Sequence, residues 1–203
     1  METELSTEER IKEAAKKVFL EKGFDGTTTR DIAREAGLSI AMMNYYFRSK
    51  EKLFNIVYEE LIREYFQSTL DIMDKPGDLK QKLSALVDNF FNLFKKNRRL
   101  STFINYELKR NPDHLLKTFD IGPLVKKSLF IQQLQDAINK GEIRAINSDH
   151  VLFLLLPNVQ FLYENDELNK KILLMDEADY DQFAQEHLQI VKEMIFGHLF
   201  LDN

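Results

Sequence analysis

The sequence predicts an all-α fold, and three observations carry that prediction. Apolar residues recur at i, i+3, i+4 and i+7 along almost the whole chain, the spacing of one-sided helices. Alternating Val/Ile/Thr-rich runs and Asn-Gly hairpin turns are missing from the sequence. Gly and Pro are sparse, 7 and 4 in 203 residues, and most of them fall between the periodic stretches.

Residues 6–22 place Ile11, Ala14, Ala15, Val18 and Phe19 on one face, with Ser6 and Glu9 spaced as a capping box and Gly23 suited to the turn that ends the helix. Thr28 with Asp31 repeats the start signal. Ile32, Ala33 and Ala36 give a short apolar face, and Gly37 closes the second helix. Ser39 caps a brief third helix ending near Phe47. Ser49 caps a fourth, apolar from Leu53 to Phe66 and running to about Asp71. Lys75-Pro-Gly-Asp78 is the clearest break in the chain. Beyond it the periodicity predicts helices at about 79–96, 99–110, 121–140, 148–163 and 181–201. Asn111-Pro112, Gly122-Pro123, Gly141 and the polar stretch 164–180 serve as punctuation. The expected organisation is an N-terminal domain over 1–48, a linking helix over 49–72 and a larger helical domain over 73–203.

Composition excludes several classes. Hydrophobic residues at 44% and charged residues at 30% describe an ordinary globular chain that is long enough to bury a core unaided. With no Cys, disulfides, thiolate metal sites and a cysteine nucleophile are impossible. The polar, acidic start is unlike a secretory leader. The longest apolar run, Val151–Leu156, falls far short of the roughly 20 residues of a membrane helix. A cytoplasmic protein without membrane contact is expected. Residues 1–53 hold ten basic and ten acidic side chains, so the whole net charge of −5 lies in residues 54–203. Residues 22–52 carry a mild excess of two positive charges.

Catalysis has no visible signature. The four His are scattered, with no His-Glu-x-x-His, and Glu193 and His198 are five apart, off a shared helical face. No phosphate loop, dinucleotide fingerprint or nucleophile elbow occurs. No catalytic residue, metal ligand or cofactor is assigned.

Residues 28–52 carry the informative pattern. A helix of about eight residues, the turn Ala36-Gly-Leu-Ser39 and a second short helix fit a helix-turn-helix, whose second helix lies in the DNA major groove. Met43 and Phe47, four apart, are assigned to the core. That turns Ile40, Met42, Asn44 and one or both of Tyr45 and Tyr46 outward. Taken singly, Thr28 and Ser39 would cap helices in any helical protein, and Lys50 and Lys52 would be solvated charges. The order of the whole segment is more specific. The strings KGFDGTTTRDIAREAGLS (22–39) and YYFRSKEKL (45–53) resemble the N-terminal DNA-binding domain of the TetR family of bacterial transcriptional regulators over about residues 8–54.

The resemblance implies three N-terminal helices, a connecting fourth, and a divergent helical domain that binds a small molecule and dimerises. Thr28 and Thr29 occupy its phosphate-contacting helix start. Hydroxyls beside unsatisfied N–H groups at a positive helix end suit a phosphate oxygen. With Ser39 and Ile40 at the start of the third helix, Ala41 takes a position of small residues that lets the helix approach bases closely. Lys50 takes a phosphate-facing position at the start of the fourth helix. The chain departs from the family where Asn44 replaces a common Tyr, Tyr46 a common His, and Ile40 a frequent Lys or Arg. Asn44 can bond a phosphate or an adenine edge, and Ile40 or Met42 can touch a thymine methyl.

Most of the 16 Phe lie beyond Pro76. Phe90, Phe94, Phe103, Tyr106, Phe130, Phe153 and Phe161 are the expected lining of a largely apolar effector pocket, although Phe at helical spacing is first of all core. The last helix is apolar on more than one side. By resemblance, helices 148–163 and 181–201 form a homodimer bundle, which also supplies the two recognition helices that an operator needs. The implied function is a homodimeric, ligand-responsive repressor released from its DNA operator by a small molecule. The alternative is a helical small-molecule-binding or scaffold protein without sequence-specific DNA binding.

Overall fold

A computed structural model describes residues 5–96, 98–113 and 121–201. Eleven helices are found among the described residues: α1 (Thr7–Lys22), α2 (Thr29–Ala36), α3 (Ile40–Phe47), α4 (Lys50–Asp74), α5 (Leu79–Lys96), α6 (Arg98–Arg110), α7 (Ile121–Lys127), α8 (Leu129–Asn139), α9 (Ser148–Glu164), α10 (Asp166–Leu173) and α11 (Glu177–Leu199). No strand is present among them; a single antiparallel bridge joins Ile143 to Phe200. No described helix is long and apolar enough to cross a membrane. Phe119 lies outside the described residues.

The chain folds into two compact units: residues 1–65 with 103–110, and residues 66–102 with 111–203. Two helices, α4 and α6, therefore contribute to both. The sequence predicts a helix over 99–110 as well as the linking helix over 49–72, but only the latter is expected to join the two parts; the division within α6 at residues 102 and 103 has no Pro or Gly to mark it.

In the first unit α1 buries Ile11, Ala14, Ala15, Val18 and Phe19, and α2 buries Ile32, Ala33 and Ala36. Helix α4 adds Leu53, Phe54, Val57, Tyr58, Leu61 and Ile62. The centre is aromatic: Phe54 meets Phe19 edge-on at 5.0 Å and Phe24 at 4.7 Å. Phe103 of α6 packs 6.1 Å from Phe54 and 6.0 Å from Tyr58. Such pairs add about 0.5–1.5 kcal/mol each beyond their buried area.

In the second unit α5, α9 and α11 pack together, with α8 against α5 and α9. Leu83, Phe91 and Phe94 of α5, Val151 and Tyr163 of α9, and Tyr180 and Ala184 of α11 are all at most 1% exposed. Lys82 is buried among them; its ammonium donates to the Met73 carbonyl at 3.0 Å and to Gln133 Oε1 at 2.5 Å. Burial holds its pKa below the usual lysine value.

Three boundaries differ from those predicted. The stretch 121–140 is two helices, because Ser128 leaves helical geometry (ψ 151°) and caps the second through its hydroxyl. The polar stretch 164–180 contains α10, held by charges that periodicity ignores: Lys170 reaches Glu167 at 2.6 Å and Glu177 at 2.8 Å, and Arg98 reaches Asp166 at 3.6 Å. The last helix begins at Glu177, capped by Asp176, ahead of the first apolar residue from which it was read.

Candidate nucleic-acid interface

The site is built on the turn between α2 and α3. Thr28 caps α2: its hydroxyl oxygen accepts from the Asp31 N–H at 3.2 Å, while the Asp31 carboxylate accepts from the Thr28 N–H at 3.0 Å and hydroxyl at 2.6 Å. Lys22 at 3.0 Å and Arg34 at 2.7 Å also bind Asp31. The Thr28 hydroxyl bond, then that of Lys22, holds the Asp31 carboxyl well below the usual carboxylate range.

Gly37 ends α2 at φ +66°, a conformation that a side chain makes costly. The Leu38 N–H returns to the Ala33 carbonyl at 2.9 Å, and the Arg10 guanidinium donates to the Ala36 carbonyl at 2.9 Å. The last carbonyls of α2 are thereby satisfied and the angle into α3 is fixed. Ser39 then caps α3, its hydroxyl oxygen accepting from the Met42 N–H at 3.1 Å.

Helix α3 buries only Met43 and Phe47. Ile40, Ala41, Met42, Asn44, Tyr45 and Tyr46 are exposed, Tyr45 at 81%, and the two tyrosine rings meet edge-on at 5.4 Å. Two buried residues one turn apart pin a helix whose other faces are turned to solvent. The turn after it is closed by Arg48 at φ 55°, whose N–H donates to the Asn44 carbonyl at 3.0 Å.

Lys50 is placed differently from a free phosphate ligand. Its ammonium donates to the carbonyls of Phe24 and Thr27, both at 2.9 Å, and lies 4.1 Å from the Phe24 ring centre. Its visible work is to tie the α1–α2 loop to the start of α4. Thr28 is exposed and Thr29 partly so. Thr28 is committed to its cap, whereas the Thr29 hydroxyl has no hydrogen-bond partner among the described residues. Of the six basic residues in 22–52, Arg30, Arg48 and Lys52 are exposed with no ion pair among the described residues. Sequence reasoning left Arg30 and Arg48 out. Lys22 and Arg34 share Asp31, and Lys50 is held by carbonyls that no local spacing marks.

The residues expected to line an effector pocket are not brought together. Phe90, Phe94 and Phe130 are buried in the second unit. Phe103 belongs to the first unit, as does Tyr106, which is exposed and donates its hydroxyl to Asp25 at 2.6 Å. Phe153 and Phe161 are 77% and 60% exposed on α9. Aromatic character was legible; which side of each helix would be buried was not. Nearby, Leu154, Asn158, Val191, Met194, Ile195 and His198 line a groove of about 300 Å³ along α9 and α11.

Residues 11–57 match the model of the bacterial regulatory proteins of the tetR family. The chain is 22% identical to the probable HTH-type transcriptional regulator YttP of Bacillus subtilis, over 84% of each chain. It is 26% identical to the HTH-type transcriptional repressor NicS of Pseudomonas putida, over 85% of this chain and 83% of NicS. Its fold is similar to the solved ketosteroid transcriptional regulator KstR2 of Mycobacterium tuberculosis, with a TM-score of 0.72 and 20% identity over 98% of each chain.

Proposed function

We propose that the chain, whose residues 11–57 match the model of the bacterial regulatory proteins of the tetR family, is a ligand-responsive transcriptional repressor that grips its operator as a homodimer through the outward face of α3. The exposure pattern of α3 carries the reading: six exposed side chains stand on a short helix held by two buried ones. A solvated helix has no use for Ile40, Met42, Tyr45 and Tyr46 on its surface. An α-helix with such a face fits a major groove, where alkyl groups meet thymine methyls and phenols and amides meet base edges or phosphates. Arg30, Arg48, Lys52 and the Thr29 hydroxyl supply the flanking phosphate contacts.

The second copy docks on α9 and α11. Phe153, Phe161, Ile190 and Met194 of these helices are at least half exposed, and burying each against a partner contributes about 1.5–3 kcal/mol before association costs. Dimerisation supplies two recognition helices, which must lie about 34 Å apart to enter successive major grooves.

The effector is largely apolar and lodges among the buried aromatics of the second unit. Tyr163, 1% exposed and 5.6 Å from Phe91, offers a hydroxyl that has no hydrogen-bond partner among the described residues. Such a group is costly unless something bonds it. A ligand shifts operator affinity only by its differential affinity for the two conformations. A coupling of ~1–3 kcal/mol gives ~5–150-fold. Helices α4 and α6, each part of both units, transmit it.

The test is binding to the promoter region beside the protein's own gene, titrated with salt. Affinity falls steeply, with a log–log slope of about −0.9 for each phosphate neutralised. Absent or salt-insensitive binding at low ionic strength sinks the reading.

A further inference from the structure

Helix α3 exposes an alkyl, a methyl, a thioether, an amide and two phenols, and no charge of either sign. That limits what it can read. Guanine is recognised in the major groove through two acceptors, which call for a paired donor such as Arg or Lys. Cytosine presents a donor, which calls for Asp or Glu. Neither kind of reader stands on α3, and the nearest cations in sequence are committed or marginal. Lys50 is bonded to two carbonyls, Arg34 to Asp31, and Arg48 follows the helix, past the N-terminal residues that approach base edges in this geometry. Of what remains, the two phenols donate or accept and so select no base, while the amide and the alkyl groups suit adenine and thymine. The Asn44 amide, with no bond of its own among the described residues, matches the N6 donor and N7 acceptor of adenine, and the Ile40 and Met42 side chains match the thymine methyl.

We propose that the base pairs read by α3 are A·T pairs, with Asn44 on an adenine edge and Ile40 and Met42 against thymine methyls. The inference rests on α3 being the DNA-reading helix.

The full-length protein is used to select duplexes from a random pool at moderate salt. The expected half-site holds a short A·T run where α3 lies. In that half-site, replacing thymine by uracil removes one methyl and lowers affinity by ~4-fold for each contacted base. Replacing the contacted adenine by 7-deazaadenine lowers it by ~5–150-fold. Asn44→Ala loses the response to 7-deazaadenine, Ile40→Ala and Met42→Ala lose the response to uracil, and none changes the thermal unfolding midpoint. Three results overturn the inference while leaving the DNA interface standing: G·C pairs at positions whose preference vanishes in the α3 variants, indifference to both base analogues, or base preferences unchanged in all three variants. Failure to bind any duplex in a salt-dependent way overturns the interface itself.

Discussion

The exposed face of α3 and the exposed faces of α9 and α11 both leave large apolar groups in water, on opposite terms. Helix α3 has 8 residues, about 12 Å of rod, and its apolar groups alternate with hydrogen-bonding heads at Asn44, Tyr45 and Tyr46. Helices α9 and α11 have 17 and 23 residues, and Phe153, Phe161, Ile190 and Met194 present hydrocarbon or thioether alone. A short rod carrying amide and phenol heads suits a groove whose walls are polar. Two long helices with hydrocarbon rows suit a second pair like themselves. Exposure alone therefore does not name a partner; the length of the face and the heads upon it do.

The sharpest break of that contrast is Phe153→Glu combined with Met194→Glu. Charges on the hydrocarbon face face one another in a dimer and are desolvated without partners. Sedimentation should report a monomer with unchanged helix content, and operator affinity should fall ~10³-fold or more, to the non-specific level. Tyr45→Ala on the other face should leave the dimer intact while weakening only DNA binding. A doubly substituted chain that still sediments as a dimer would remove α9 and α11 from the interface.

Next in size is the contrast between neighbours on α3. Met43→Ala empties a fully buried site and should lower unfolding free energy by about 2–5 kcal/mol. Met42→Ala, on the exposed side, should stay within about 0.5 kcal/mol. Urea denaturation of the two variants checks this. Equal losses would mean that α3 is buried on both sides, and the reading face would be lost with it.

This pair also shows why the first unit was so legible. Its elements announce themselves locally: Ser6 with Glu9, Thr28 with Asp31, Gly37 at positive φ and Ser39 each bond within four residues. The four-residue spacing of Met43 and Phe47 fixed the burial of a helix only two turns long. The second unit is held by contacts distant in sequence, such as Lys82 with Gln133 and Arg98 with Asp166 of α10. Helix α10 owes its place to such pairs and not to an apolar stripe, so periodicity passed over it. The apolar groups of α9 nearly encircle the helix. Nothing local distinguishes Phe153, exposed, from Leu155, buried. At the site itself, residue types foretold the α3 face but not the commitment of Lys50, whose carbonyl partners lie 23 and 26 residues away.

Lys50 and Lys52 separate holding the site from touching DNA. Lys50→Ala strips two charge-assisted hydrogen bonds from the α1–α2 loop and should cost about 1–3 kcal/mol of stability. Lys52→Ala, at an exposed position, should leave stability within about 0.5 kcal/mol and make the salt slope shallower by about 0.9. Unfolding and salt titrations on the same preparations decide it. A Lys50→Ala chain with unchanged unfolding and a shallower slope would return Lys50 to the phosphate contacts.

The smallest effect is set by Asp31, which belongs to the first unit and has no counterpart on the hydrocarbon face of the second. Its carboxyl is held below the usual range by the Thr28 hydroxyl and by Lys22. A depressed carboxyl binds its proton later in the folded chain than in the unfolded one. Its contribution is therefore complete above the unfolded value of about 3.9 and disappears as pH falls from there toward the folded value. The urea midpoint should vary with pH through this group only below about pH 5, its contribution staying full and constant between about pH 5 and 8. Asp31→Asn keeps the shape of the cap but removes the titration, so the variant should lose less on going from pH 6 to pH 3.5 than the parent. Equal losses would mean that the Thr28–Asp31 cap holds α2 by its hydrogen bonds alone, and that the charge beneath the reading helix is there for neighbouring cations, not for the fold.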